Sequence, residues 1–245
     1  MIGQIVIYLC IGLFAGFMSG MFGIGGGTVR IPLLNLAGLP LLSAFAINFF
    51  VIPFSSSVGA FSQRKNIAKE IVIYAIIGGV LGEVIGAFSV GFIPTLILSI
   101  IFVALCFTVA LGIFSDKIIP SLAKKIKPTN KSFFGASFFV SLITGLRGGS
   151  GAQMFPALFK SFGLGTHKAI ATSLTVSIFT AFGAIPIYWH RGDIVWLPAF
   201  FVLAGSIVGA RIGSKISLKT KPIGLEIGLA VLIIALAFSV IYKAL

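Results

Sequence analysis

Apolar residues run along this chain in long blocks with few interrupting charges, not in the one-sided stripes of a soluble amphipathic helix. Blocks of roughly 17 to 25 residues match the thickness of a bilayer. The pattern predicts long helices at 5–22, 43–62, 70–89, 93–114, 132–147, 167–189, 194–213 and 222–242. Two shorter apolar pieces, 28–40 and 152–163, each follow a glycine-rich break: Gly23-Ile24-Gly25-Gly26-Gly27 and Gly148-Gly149-Ser150-Gly151. The one long polar stretch, SDKIIPSLAKKIKPTNK from Ser115 to Lys131, reads as a linker. The expected domains are a first transmembrane repeat over 1–114, a basic cytoplasmic linker over 115–131 and a second transmembrane repeat over 132–245.

The two parts resemble one another. At a shift of 124 positions Gly27, Pro32, Gly59 and Ala60 fall on Gly151, Pro156, Gly183 and Ala184. At a shift of 127, Gly78, Gly82 and Gly86 fall on Gly205, Gly209 and Gly213. Lys and Arg bear on how the repeats are oriented. If each short piece counts as a pass, whether a full crossing or a limb of a re-entrant hairpin, most of the 18 basic residues share one side: Arg64, Lys65 and Lys69, the linker lysines, Lys160, Lys168, Arg211, Lys215, Lys219 and Lys221. Arg147, Arg191 and Lys243 face the other side, and Arg30 lies within a short piece. Plain helices alone would split the charges almost evenly. The bias therefore favours inverted repeats with both termini outside. The expected fold class is an all-α polytopic membrane protein, each repeat holding about four long transmembrane helices plus one short or re-entrant segment after its break.

Composition agrees. The chain is 58% hydrophobic and 9% charged, with mean hydropathy +1.16, whereas soluble domains are about a quarter charged. The N-terminal segment has neither a basic start nor a clear cleavage site, so it is expected to remain a helix. The formal charge of +13 sits in short loops without interleaved aromatics, which argues against nucleic acid. Cys10 and Cys106 lie inside apolar spans with no metal-ligand spacing and read as packing residues.

Non-helical backbone is tolerated in hydrocarbon only where protein or a water-filled cavity satisfies its amides. Two breaks at matching points of two repeats point to a transport site near the midplane. A helix starting just after such a break aims backbone N–H groups and the positive end of its dipole at the break, which favours an anion. Glycine also permits positive φ and close approach. For the GxxxGxxxG runs at Gly78 to Gly86 and Gly205 to Gly213, helix packing is the better explanation. The clusters at the breaks are too dense in glycine for packing alone. A dinucleotide-binding loop is set aside, because GIGGG here lacks the preceding strand and the acidic ribose partner.

The stretch GLFAGFMSGMFGIGGGTVRIPLL at Gly12 to Leu34 resembles the signature of the TauE/SafE sulfite exporter family. ATSLTVSIFTAFGA at Ala171 to Ala184 is similar to that family's Ala-Thr-Ser-Leu segment, and the likeness extends to GDIVW at Gly192 to Trp196 and the paired glycine helices. The resemblance implies a bacterial inner-membrane permease of two repeats for small sulfur-containing anions such as sulfite or organosulfonates. The sequence departs from the family pattern at Leu146-Arg147-Gly148-Gly149-Ser150-Gly151 and at Ala46-Ile47-Asn48-Phe49, placing polar side chains near the expected site.

Candidate substrate contacts follow from the breaks: Gly25, Gly26 and Gly27 in the first, and Gly149, Ser150, Gly151 and Gln153 around the second. Arg147 could hold a sulfonate or sulfite oxygen through its planar fork of donors; the alternative is an arginine snorkelling to headgroups. Arg30 is the second cationic candidate, or an anchor for its short piece. Thr172, Ser173 and Asn48 could donate to the anion or serve helix packing, and Ser19 lies close enough to contribute. Glu83, ionisable within an apolar span, is a functional candidate by default: it either carries a coupling proton or forms an ion pair with Arg211. Glu226, His167 and His190 read as interfacial. The leading function is secondary transport of a small anion by alternating access, with an anion channel as the nearer alternative and a membrane-embedded enzyme as the further one. Acids, histidines and cysteines are scattered, so no enzyme activity and no cofactor is expected. The expected partners are the anion and the lipid bilayer, with a homodimer left open.

Overall fold

The computed structural model describes residues 2–22, 25–113, 128–217, 233–240 and 242–243. Gly23 and Ile24, most of the expected linker, Glu226 and much of the expected last helix lie outside the described residues. The described chain is helical: α1 (Ile2–Phe22), α2 (Gly27–Leu36), α3 (Leu41–Ser62), α4 (Lys69–Ser89), α5 (Thr95–Ile113), α6 (Asn130–Gly145), α7 (Phe155–Ser161), α8 (Thr166–His190), α9 (Trp196–Ser217) and α10 (233–240). Among the described residues, five helices are long and apolar enough to cross a bilayer: Ile2–Met21, Leu41–Phe61, Lys69–Val90, His167–His190 and Trp196–Gly213. The protein is thus a multi-pass membrane protein. The short pieces are shorter than hydropathy suggested, ten residues in α2 and seven in α7. At about 1.5 Å per residue neither spans a hydrocarbon core of ~30 Å.

Glycine decides which helices touch. A Cβ on Gly12, Gly16 or Gly20 of α1 would strike the backbone of Val202, Ser206 or Ala210 of α9. Gly205, Gly209 and Gly213 return the relation, facing the backbone around Leu9, Leu13 and Phe17. Hydrogen atoms on both helices therefore let the two backbones meet, the small-residue packing expected of such runs. The contacts advance in the same order on both helices, so α1 and α9 run parallel. In the same way Gly78, Gly82 and Gly86 of α4 lie on Phe134, Phe138 and Leu142 of α6, again in parallel order. The first long helix of each half is thus paired with the GxxxGxxxG helix of the other.

Between these two pairs lie α3 and α8. Buried residues make up 72% of the α3 span against 28% of α1, which places α3 at the centre. Gly59 meets Leu174 near one end, and the tilted rings of Phe49 and Tyr188 lie 5.3 Å apart toward the other. Ascending numbers on α3 meet descending numbers on α8, so these helices are antiparallel. One apolar core surrounds α3, including Phe45, Phe49, Phe102 and Tyr188. A second, built on Phe133, Phe155 and Phe159, fastens α7 against α6.

Candidate functional site

The breaks need left-handed backbone. Gly25 and Gly26 have φ of 72° and 69°, and Gly148 and Gly151 have φ of 73° and 71°, a region costly to residues with a Cβ. The two breaks also touch, for a Cβ on Gly25 would lie 2.7 Å from the Cβ of Ala152. Gly26 forms the N-cap of α2 and packs beside Ala15 and Ser19 of α1. The meeting point lies beside Ser206, near the middle of α9, so the irregular backbone is enclosed by protein as hydrocarbon depth requires.

Arg30, on the first turn of α2, is wholly buried. Its Nη1 donates to Asn48 Oδ1 at 2.6 Å and its Nη2 to Ser206 Oγ at 3.2 Å. Ser206 in turn donates to the carbonyl of Gly12 at 3.1 Å. Asn48 completes the link by donating from Nδ2 to the Gly148 carbonyl at 2.6 Å. One amide on α3 thereby ties the first break to the second. A Cβ on Gly27 would stand 2.7 Å from Asn48 Nδ2, so glycine there makes room for the tie. Of the two roles open to Asn48, bonding within the protein occupies both ends of its amide.

Arg147 is held differently. It follows α6, is 2% exposed and sits between Cys106 of α5 and Glu83 of α4. Its Nε and Nη2 have no hydrogen-bond partner among the described residues. Arg30 Nε, Thr28 Oγ1, Ser150 Oγ and Gln153 Oε1 are buried without partners as well. Thr172 accepts a hydrogen bond from the Ala68 amide at 3.0 Å, and Ser173 donates to the Ala169 carbonyl at 2.6 Å. Both hydroxyls are therefore engaged with backbone near one end of α8. Gly149 and Gly151 are buried with the second break, where a Cβ on Gly149 would lie 3.5 Å from the Arg147 guanidinium.

Glu83 and Arg211 are not brought together. Arg211 is exposed on α9, whereas Glu83 is buried between α4 and α6 and faces Arg147. The equal spacing of the repeats had suggested the pair, but each GxxxGxxxG helix packs on the opposite half, which separates them. His167 and His190 are exposed at helix ends. Sequence reasoning missed Ser206, whose only signal was a hydroxyl inside a glycine run. It also missed Cys106, which nothing local to its sequence connects with Arg147.

Among the described residues, the buried charges are two guanidiniums and one carboxylate. One positive charge is left over in a low-dielectric interior, and unpartnered N–H donors accompany it. Such a site is suited to an anion that accepts several hydrogen bonds.

Comparison with known proteins agrees with a transporter. The family model "Sulfite exporter TauE/SafE" matches residues 8–240. The chain is similar to the probable membrane transporter protein YunE of Bacillus subtilis, 26% identical over 98% of both chains. It is 26% identical to a probable membrane transporter protein of Haemophilus influenzae, over 87% of this chain and 85% of that one. It is 24% identical to the probable membrane transporter protein YfcA of Escherichia coli, over 85% and 79%. No solved structure matches it.

Proposed function

The chain belongs to the sulfite exporter TauE/SafE family of membrane transporters, and from that membership we propose that it is a secondary transporter of a small sulfur-containing anion, sulfite or an organosulfonate. The reading rests above all on the excess buried guanidinium charge where the two breaks meet. A planar fork of donors suits the tetrahedral or pyramidal oxyanion of sulfur, and the buried hydroxyls of Thr28 and Ser150 add weaker donors around it.

Transport proceeds by alternating access of two inverted halves. Opposite directions of α3 and α8, and the exchange of partners between α1–α9 and α4–α6, support that relation. Two cavities, of about 550 and 540 Å³, lie at opposite ends of the molecule. One is lined by Asn35, Leu41, Asp193 and Lys243, the other by Ala68, Phe133, His167 and Lys168. They are the approaches from either side to the breaks. The lysines and arginines near the second cavity make it the cytoplasmic approach, which leaves both termini outside the inner membrane.

The test is a proteoliposome panel of sulfite, sulfate, thiosulfate, taurine and sulfoacetate, with and without a pH gradient. Uptake of one or more of these anions, with saturable exchange, is the expected result. Movement of a cation with none of the panel taken up overturns the reading, and flux that never exceeds electrochemical equilibrium marks a channel.

A further inference from the structure

Glu83 is the ionisable group that anion binding leaves unexplained. Its carboxylate is fully buried, with neither oxygen hydrogen-bonded among the described residues. Gly145 keeps the space open, because a Cβ there would stand 3.0 Å from Glu83 Oε1. Helix geometry alone does not require an acid at this place: the matching position of the second half is Ala210, packed against Gly20. A carboxylate at hydrocarbon depth is costly and calls for a partner.

The groups facing Glu83 can be named from each side. Arg147 approaches from the break after α6, and Tyr188 from α8. Cys106 of α5 lies beyond Arg147. Ser141 of α6 contributes a buried hydroxyl. One turn along α4, Arg191 donates to the Ala87 carbonyl at 3.2 Å and is itself bonded to Asp193 at 2.7 Å, so its charge is already matched.

With the site empty, the Glu83 carboxylate is the buried counter-charge to Arg147. An anion taking the free Nε–H and Nη2–H edge of Arg147 would bring a second negative charge beside that carboxylate. At low dielectric the two repel strongly, and a proton on Glu83 removes the repulsion. Resting on the anion-transporter reading, we propose that Glu83 is the proton site of the carrier, and that a proton on Glu83 and an anion on Arg147 are bound and carried together. Arg147, Glu83 and their ligand then sum to zero charge in both states, as guanidinium and facing carboxylate when empty and as anion, guanidinium and neutral acid when loaded, while the surplus charge of Arg30 stays bonded to Asn48 and Ser206. The proton comes from water on the loading side and returns to water on the other. Thermodynamic linkage makes each ligand raise the affinity for the other by the same factor.

The experiment uses the full chain in proteoliposomes with the membrane potential clamped, and labelled sulfite and isethionate as probes. Isethionate stays monovalent across the pH range used. Wild type is expected to exchange at least one probe at equal pH and to accumulate it ~10-fold for each pH unit by which the outside is more acid than the inside, the ratio set by one proton per anion. Glu83→Gln should keep exchange at equal pH and lose the gradient-driven accumulation. Wild-type exchange that ignores the gradient, or a Glu83→Gln carrier that still accumulates, overturns the coupling while the transporter reading stands. The same assay is run with each anion of the panel, and no exchange of any of them or of isethionate by wild type overturns both. A second measurement needs no variant: adding isethionate, which has no proton of its own to gain, to the solubilised wild type in weak buffer should draw about one proton per anion bound. Binding without proton uptake overturns the proposal.

Discussion

Arg30 and Arg147 are both buried beside a glycine break, yet their hydrogen bonds assign them different roles. Arg30 is tied by Asn48 and Ser206 and holds the breaks together; Arg147 keeps Nε and Nη2 free. Arg147→Lys, which keeps the positive charge facing Glu83 but lacks the planar fork of donors, should therefore weaken anion binding at least ~10-fold, the worth of charged hydrogen bonds, while the melting temperature stays near wild type. Arg30→Ala should lower stability by ~1–3 kcal/mol, because Asn48 Oδ1 is left buried without its donor. Thermal unfolding in detergent beside a binding titration separates the two, and the reverse assignment would sink this division of roles. Gly148→Ala combines positive φ with a collision against the Phe45 ring. It should cost at least ~1–2 kcal/mol, read in the same melting curve. At this scale the sequence showed which residues matter better than what they do. Glycine clusters and an arginine inside apolar runs are visible locally, but the two ends of the Asn48 amide are spent on Arg30 and on a carbonyl 100 residues away.

For the helices, the decisive fact is that glycines on α1 and α9, and those on α4 against α6, let backbones meet. Gly16→Val or Gly209→Val places a branched side chain against a neighbouring backbone that has no rotamer to yield. Either should prevent recovery of monodisperse protein on size-exclusion chromatography. Gly135→Ala on α6 meets nothing within 4 Å and should be neutral or stabilising by ~0.5–1 kcal/mol, since alanine suits a helix better. Equal loss in all three would mean that contact does not decide the outcome. Among the described residues the helix positions were legible from hydropathy to within a few residues, α4 and α8 most closely. The short pieces were overestimated because apolar residues continue into the turns after α2 and before α7, where Gly38 and Gly151 redirect the backbone.

In the whole molecule, the parallel pairs α1–α9 and α4–α6 flank the antiparallel α3 and α8, placing the turn at 90–94 and the start of α8 at opposite ends. Phe92 and Lys168 are exposed at those ends. In a carrier with Cys10 replaced by alanine, Phe92→Cys should react with an impermeant maleimide on intact cells, and Lys168→Cys only after permeabilisation. Labelling of both from one side contradicts the inverted topology. The same arrangement explains why Glu83 and Arg211, at nearly equivalent places in the two repeats, lie apart: each GxxxGxxxG helix is packed on the other half, Glu83 turned inward and Arg211 outward.

By itself the sequence determined that this chain is a multi-pass membrane protein, where its helices run, where they break, and to which family it belongs. Those properties are local, because hydropathy and glycine content act residue by residue against lipid and backbone. Tertiary structure alone decided that the breaks touch, that Asn48 joins them, that Ser206 seats Arg30 and that Glu83 answers Arg147. Each of these depends on side chains from distant segments meeting in a low-dielectric interior, where an unmatched charge is costly and the partner is chosen by packing, not by spacing along the chain.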